Sequence, residues 1–521
     1  MQKSIESNQG GDMAEQDDNF QARFARLQAE LYGLLDTDPA AALARLDALD
    51  AAEFGMATLL SMRASFFIDA GALCKDIALV TRGIEIFEHL ITQYPDEENF
   101  KYNLANGLTA IADIEPYDDR GWYLKTSSWR QRAKTLYQHC ADAASERDLR
   151  ARAQTNLGNA LLKAYRFVEA YDCYCRALES DPSNAIAATG AARVLLSYAS
   201  AGIGDQDLLL IAANEHLRYA RQNPHRLREL AGEHALEALT PLLQQPLPEL
   251  RRPDFSEATP YQRFVRDYRL ALSPTIEGFD LSLKRWDSLG LPGIFEPAGT
   301  LYRIPTVFAT FNVLKADYLA VRHLAFTALQ DPPPESGSYA DTLDYACYGI
   351  YTASLTLAQR TCVDVLDKLT VAMLHYLGQI KPERNATFLN SFFEPGDVPK
   401  QWKARIRGEI DCGNRGLLAL AEMAADVSHQ GYLQPKRQLR NASTHRFIVL
   451  HDISLATAPD VDIVDRYDMD EFRRHLIETL QLVRAALIYF VETVSDRERR
   501  FPADNAWALD VPDHDWIRGE N

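Results

Sequence analysis

The sequence is poor in what metal centres and cross-links require. Seven cysteines, at positions 74, 140, 173, 175, 347, 362 and 412, are an odd number with no CxxC pair and no repeated Cys/His ligand spacing. That argues against a disulfide framework or a zinc site and points to reduced, mostly buried thiols in a cytoplasmic protein, with no metal and no cofactor expected. Cys173 and Cys175 sit two apart on an expected helix and read as packing residues. No apolar run approaches the roughly 20 residues that span a bilayer, so no membrane association is expected. Residues 1–20 are polar and acidic without an apolar core, which is neither a signal peptide nor an anchor, and read as a disordered tail. Glycine (26) and proline (24) are too scarce in 521 residues for a low-complexity chain. An excess of basic residues is also missing: the net charge of -18 argues against a protein that coats nucleic acid non-specifically, and leaves room for a local basic site.

What is present is helix. From Asp36 to Ala213 the pattern is helical almost throughout and contains one well-formed repeat. With Ala151 as the first position of a thirty-four-residue unit, Leu157, Gly158, Ala170, Tyr174, Ala177 and Pro182 fall where a tetratricopeptide repeat places its packing residues and closing proline. A weaker copy lies upstream, in Gly83, Phe87, Leu90 and Pro95, and Tyr102 to Asn106 echoes Thr155 to Asn159. The Asp113 to Ser127 region reads as an insertion between the copies. Such stacks form concave surfaces that bind protein segments, so a protein partner is expected on residues 21–230, although a purely structural stack fits nearly as well.

Residues 231–330 read as a helical connection, broken by Pro246, Pro248 and Pro253 and by the Gly290-Leu291-Pro292-Gly293 turn. Within it Phe311, Leu314, Tyr318, Val321 and Leu324 predict a helix from about Phe311 to Leu329. Asp331 to Ser338, with three consecutive prolines, reads as a linker. Beyond it, stripes predict four amphipathic helices. Leu343, Cys347, Ile350, Ser354 and Leu357 mark the first, and Leu366, Leu369, Met373 and Leu377 the second. Leu417, Leu420, Ala424 and Val427 mark the third. Phe472, Leu476, Leu480, Val483, Leu487 and Phe490 mark a long last one. The fold class expected is all-α, a repeat array followed by a helical bundle over 331–497, with 498–521 as a C-terminal tail.

The chemistry concentrates in Gln438 to Phe447. Arg440 offers a permanently charged fork for phosphate oxygens, Asn441 an amide, and His445 a side chain suited to proton transfer near neutrality. From Lys400 to Arg446 there are nine Lys or Arg against four acids, an excess of five positive charges in an acidic chain, so RNA is drawn here, with Lys436 and Arg437 as candidate substrate-binding residues beside a solvated-surface reading. Asp364 and Lys368 read as a surface ion pair.

The bundle together with Arg440, Asn441 and His445 resembles the HEPN ribonuclease domains over about Tyr339 to Val494. It is most similar to HEPN proteins with helical repeats ahead of the bundle. The resemblance implies a metal-independent endoribonuclease. In it Arg440 stabilises charge on the phosphorane, His445 moves a proton, Asn441 orients one of them, and the RNA 2′-hydroxyl is the nucleophile. It further implies a homodimer with facing motifs and a prokaryotic defence or stress role. The alternatives are a non-catalytic scaffold in which the repeats bind a partner, and a nucleotide-binding regulator. The segment from Arg446 to Asp470 is longer than a simple bundle needs.

Overall fold

The computed structural model describes residues 23–35, 37–49, 55–117, 121–247, 257–274, 286–297, 304–378, 386–396, 401–427, 431–434, 447–452, 463–500 and 506–509. They are almost entirely α-helical and fall into two compact units, 1–118 with 126–143 and 119–125 with 144–521.

In the first unit, helical backbone over 23–35 is followed by α1 (Pro39–Asp47), α2 (Met56–Cys74), α3 (Ile77–Gln93) and α4 (Glu98–Ile114). The short α5 (Gly121–Lys125) belongs to the other unit, and α6 (Ser127–Ala143) returns to this one. Asp76 caps α3 by accepting from the backbone N–H groups of Ala78 and Leu79. By length and composition α2 is apolar enough to cross a membrane, which the sequence reading misses because Arg63 and Asp69 interrupt the run. Its Leu59, Met62 and Phe66 instead join Leu31, Leu35 and Leu46 in a core. Gly83 and Phe87 are buried on α3, and Tyr102 to Asn106 lie on α4.

The second unit continues with α7 (Arg147–Lys163), α8 (Phe167–Ser180), α9 (Ala185–Ala201), α10 (Gln206–Gln222), α11 (Pro224–Gln244) and α12 (Pro260–Asp267). The small residues expected to bring α7 and α8 together do so. A Cβ on Gly158 would come within 2.7 Å of the Tyr174 ring, whose hydroxyl donates to Asn159 Oδ1 at 2.8 Å. Cys173 and Cys175 are buried, as packing residues should be. Further on, Arg322 on α13 (Thr306–Gln330) forms a bidentate, buried pair with Asp287, at 2.8 and 2.7 Å, and donates to the Leu270 carbonyl. Phe311, Leu314, Tyr318 and Val321 are buried along α13.

α13 packs on α14 (Ile350–Tyr376), where two helices were expected from the stripes and one is found. The first stripe fails at its start: Leu343 and Tyr345 have φ of 58° and 61°, Leu343 is 86% exposed, and Cys347 lies in a strand. The helix begins only after Gly349, where the Glu335 carboxylate accepts from the N–H groups of Ile350 and Tyr351, both at 3.0 Å. The buried face is then Leu355, Cys362, Leu366, Leu369 and Met373, one continuous stripe. Lys368 pairs with Asp317 on α13 at 2.8 Å, so the expected Asp364 to Lys368 pair is not what its ammonium makes.

After α15 (Ala404–Asp411), Asn414 caps α16 (Arg415–Val427), every residue of which from Gly416 onward is buried. It lies against α17 (Met469–Glu498), whose first turn is capped by Asp468 and whose expected stripe, Phe472 to Phe490, is buried. Gly416 is what permits the contact, since a Cβ there would meet the Thr493 backbone nitrogen at 2.3 Å. Two small sheets modify the all-α expectation. β1 (Ile294–Pro297) pairs antiparallel with β5 (Ala506–Leu509); β2 (Ala346–Cys347) pairs antiparallel with β3 (Phe447–His451), which pairs parallel with β4 (Val464–Asp468). β3 and β4 take up part of the surplus length ahead of α17.

Glu492, buried on α17, has its carboxyl pushed up to about 8 by burial. A carboxyl raised in the folded state stabilises below its unfolded value and loses that contribution as pH rises through the folded one. The Tm of the wild type should therefore fall, relative to Glu492→Gln, as pH is raised from about 5 to about 8. Parallel melting curves across this interval would contradict the assignment.

Candidate functional site

Arg440, Asn441 and His445, with Lys436 and Arg437, lie outside the described residues. What the structure gives is how the chain is held on either side of them. On the far side, Phe447 N–H donates to the Ile463 carbonyl and β3 runs inward to Leu450 and His451, both buried. His451 Nδ1 is 3.0 Å from the Asp344 carbonyl, which only accepts, so Nδ1 carries a proton, and the buried Nε2 makes no hydrogen bond among the described residues. β4, beside β3, ends in the residue that caps α17, so strand and helix follow without a break.

On the near side the chain leaves α16 at Val427 and is next described at Gly431. Leu433 N–H donates to the Asp426 carbonyl at 3.0 Å. The Asp426 side chain, with none of its surface exposed, is paired with the equally enclosed guanidinium of Arg166, which precedes α8. Arg166 also donates from Nε to Glu169 Oε2 at 2.7 Å and to the Tyr432 hydroxyl at 3.1 Å, and stands 5.6 Å from the Tyr432 ring centroid. The Tyr489 hydroxyl of α17 donates to Glu169 Oε2 at 3.3 Å, so α8, α16, α17 and the approach to residues 435–446 share one buried polar cluster. Burial works against the Arg166 charge, and Glu169, Tyr432 and Asp426 hold the guanidinium protonated well above its ordinary value. Burial pushes the Tyr432 and Tyr489 hydroxyls up.

Arg166, Glu169, Tyr432 and His451 are absent from the sequence reading, and Asp426 enters it only as one of the four acids between Lys400 and Arg446. The available signal was Asp426 itself, a carboxylate among the apolar residues of α16. Among the described residues no group of three or more His, Cys, Asp or Glu is placed to hold a metal ion.

Residues 299–497 match the family model described as LA2681-like HEPN. A HEPN-family domain spans this stretch. It takes in α13 to α17 and the strands β2, β3 and β4, and with them the whole Arg440 to His445 motif. No curated protein matches the chain. The HEPN domain therefore begins ahead of α13, and its central helix α16 is joined through Asp426 to a residue of the preceding helical pair.

Leaving either member of the Arg166 to Asp426 pair alone strands a buried charge. Asp426→Ala should lower unfolding free energy by about 3–5 kcal/mol in urea titrations, and the Arg166→Met, Asp426→Leu double variant should recover most of it. A single variant within about 0.5 kcal/mol of wild type would show that the pair is not the constraint described.

Proposed function

We propose that the protein is a metal-independent endoribonuclease of the HEPN class, whose activity is regulated or targeted by tetratricopeptide-like repeats. The reading takes 21–230 as the repeat half and 231–330 as the connection, whose last part, with α13, joins the bundle over 331–497 in the HEPN match, in a cytoplasmic prokaryotic defence or stress effector. The observation that carries it is that the stretch matching the HEPN model contains Arg440, Asn441 and His445 in the order this chemistry needs. An RNA strand is held by Lys436 and Arg437. His445 handles the proton as the 2′-oxygen forms its bond to phosphorus, and the P–O5′ bond breaks to leave a cyclic phosphate and a protonated 5′-hydroxyl. Arg440 stabilises the charge that accumulates on the phosphoryl oxygens, and Asn441 orients one of the two.

One contact supports regulation from the repeat half. Arg166 and Glu169 reach α16 and Tyr432, the last aromatic residue before the motif. That contact is buried, so displacing it carries a large energetic cost.

Homodimerisation belongs to the same proposal. Around one regular helix Arg440 and His445 lie about 140° apart, whereas Asn441 and His445 share a face. Two motifs facing across a two-fold axis would supply both groups to one phosphate without asking a single copy to present both.

The full-length protein should cleave single-stranded RNA in EDTA, and His445→Ala should reduce the rate at least about a hundredfold with unchanged helical circular dichroism. Induction in a bacterial host should arrest growth for the wild type and not for His445→Ala. A strict need for a divalent cation would remove the mechanism, and equal behaviour of the two proteins would install the non-catalytic scaffold in its place.

If the site is shared, specific activity should decline on dilution in step with dimer dissociation followed by sedimentation. Full activity from a strictly monomeric protein would overturn the dimeric arrangement.

A further inference from the structure

Between the proline run and α14 the chain makes a short loop that shows apolar side chains to water. Leu343 is 86% exposed, Tyr345 68%, Tyr339 54% and Tyr348 41%. Leu343 and Tyr345 stand in the left-handed region, at φ of 58° and 61°, where a bulky side chain is disfavoured. Such a backbone persists only when its surroundings hold it. Here they do. Asp341 Oδ1 accepts from the Leu343 N–H at 2.8 Å, Thr342 Oγ1 lies 3.3 Å from the Tyr348 hydroxyl and closes the loop, and the Asp452 N–H donates to the Tyr345 carbonyl at 3.3 Å. Beneath it the buried His451 ring is 3.0 Å from the Asp344 carbonyl, and β2 pairs with β3. The loop is thus fixed in a conformation that its own residues disfavour, and its two largest displays, Leu343 and Tyr345, gain no burial from it.

The loop is also acidic. Residues 335–349 contain three acids and no lysine or arginine. Glu335 is occupied by the first N–H groups of α14, while Asp341 is exposed and Asp344 partly so. The Thr342 hydroxyl, with the Ala346 N–H, holds the Asp344 carboxyl below the ordinary carboxylate range, so it is charged near neutrality. Asp452, just past β3, adds a third exposed carboxylate. Arg473, the base whose charge is felt at Cys347, is engaged by the Tyr351 hydroxyl and Asp470.

We propose that the loop 339–348 is a docking surface for a basic protein segment, one that carries arginine or lysine beside a bulky apolar side chain. The charge selects this occupant over others. A nucleic-acid backbone or an anionic lipid surface meets repulsion from Asp341, Asp344 and Asp452. A second copy placed across a two-fold axis sets the same acids against one another. A cationic segment instead gains from those carboxylates, its guanidinium or ammonium groups lie over the exposed tyrosine rings, and its apolar side chain covers Leu343. Because the loop backbone is already fixed, little ordering of this side is left to oppose binding. The surface lies inside the HEPN match, and its occupancy does not depend on cleavage at Arg440 and His445.

The test uses the full-length protein and a displayed library of random peptides. Selection on the wild type should enrich peptides in which arginine or lysine stands beside a bulky apolar residue, and a synthetic peptide of the enriched sequence should bind one site per chain. The Leu343→Asn, Tyr345→Asn double variant should weaken that binding about tenfold or more. Asparagine tolerates the left-handed region, so this variant should melt no lower than the wild type, which separates a display role from a structural one. Asp341→Asn with Asp344→Asn should weaken binding several-fold, and more at low salt than at high. Glu146→Gln with Asp207→Asn, which removes two exposed acids outside the loop, should leave it unchanged. No enriched peptide, enrichment of acidic peptides, or binding indifferent to the Leu343→Asn, Tyr345→Asn variant would overturn the proposal. A melting temperature several degrees lower for that variant would overturn it too, by making both side chains structural. Conversion of a dimer to a monomer by the same variant, seen in sedimentation, would give the surface to a second copy instead. RNA cleavage in EDTA by the wild type is read separately, so the nuclease reading stands or falls on its own.

Discussion

The ion pair between Arg166 and Asp426 is the constraint on which the second unit is arranged. Neither side chain reaches water, and their partners come from α8, from α17 and from the chain beyond α16. A buried pair of this kind contributes less to net stability than to the choice among alternative packings, because a mismatched arrangement leaves a bare charge in a poorly polarisable interior. The α7–α8 pair and the HEPN domain are thereby committed to one register. Arg484 on α17 adds a second polar tie, donating to the Ala271 and Ser273 carbonyls from the helix centre, and the Arg322 to Asp287 pair a third. Charged groups inside this unit thus fix how elements distant in sequence meet.

Much of the architecture was legible because it rests on periodicity. The apolar spacing of α13, α16 and α17 and the close approach of Gly158 to Tyr174 are local properties, and the chain follows them. The failures occur where a local signal was outweighed by backbone geometry. Leu343 and Cys347 continue a helical stripe on paper, but the left-handed residues before Gly349 and the Glu335 cap start the helix later, and the two expected helices merge into α14. Parallel pairing of β3 with β4 escaped because strands of five residues with mixed polarity, such as Val464 to Asp468, carry little alternation.

The site divides in the same way. Arg440, Asn441 and His445 could be proposed from the sequence because spacing within a few residues is local, whereas Arg166 and Asp426 stand 260 positions apart and no local pattern links them. A lone acid inside an apolar helix is a hint that it has a distant partner, and nothing near it in sequence says which.

The burial of α16 has a consequence for how the HEPN domain presents itself. From Gly416 to Val427 that helix has no outward face, and α17 is likewise enclosed from Leu482 to Ser495. Surface within the described helices of the domain is left to the early turns of α17 around Asp470, Glu471 and Arg474, to the α14 stripe of Ala353, Leu357, Arg360, Asp364 and Lys368, and to the outward faces of α13 and α15 at residues such as Asn312, Val313, His323, Arg405 and Arg407. What this domain touches can therefore vary along these outer faces and not at its centre. The central helices, fixed by backbone contact and a shared buried charge, act as an invariant keel.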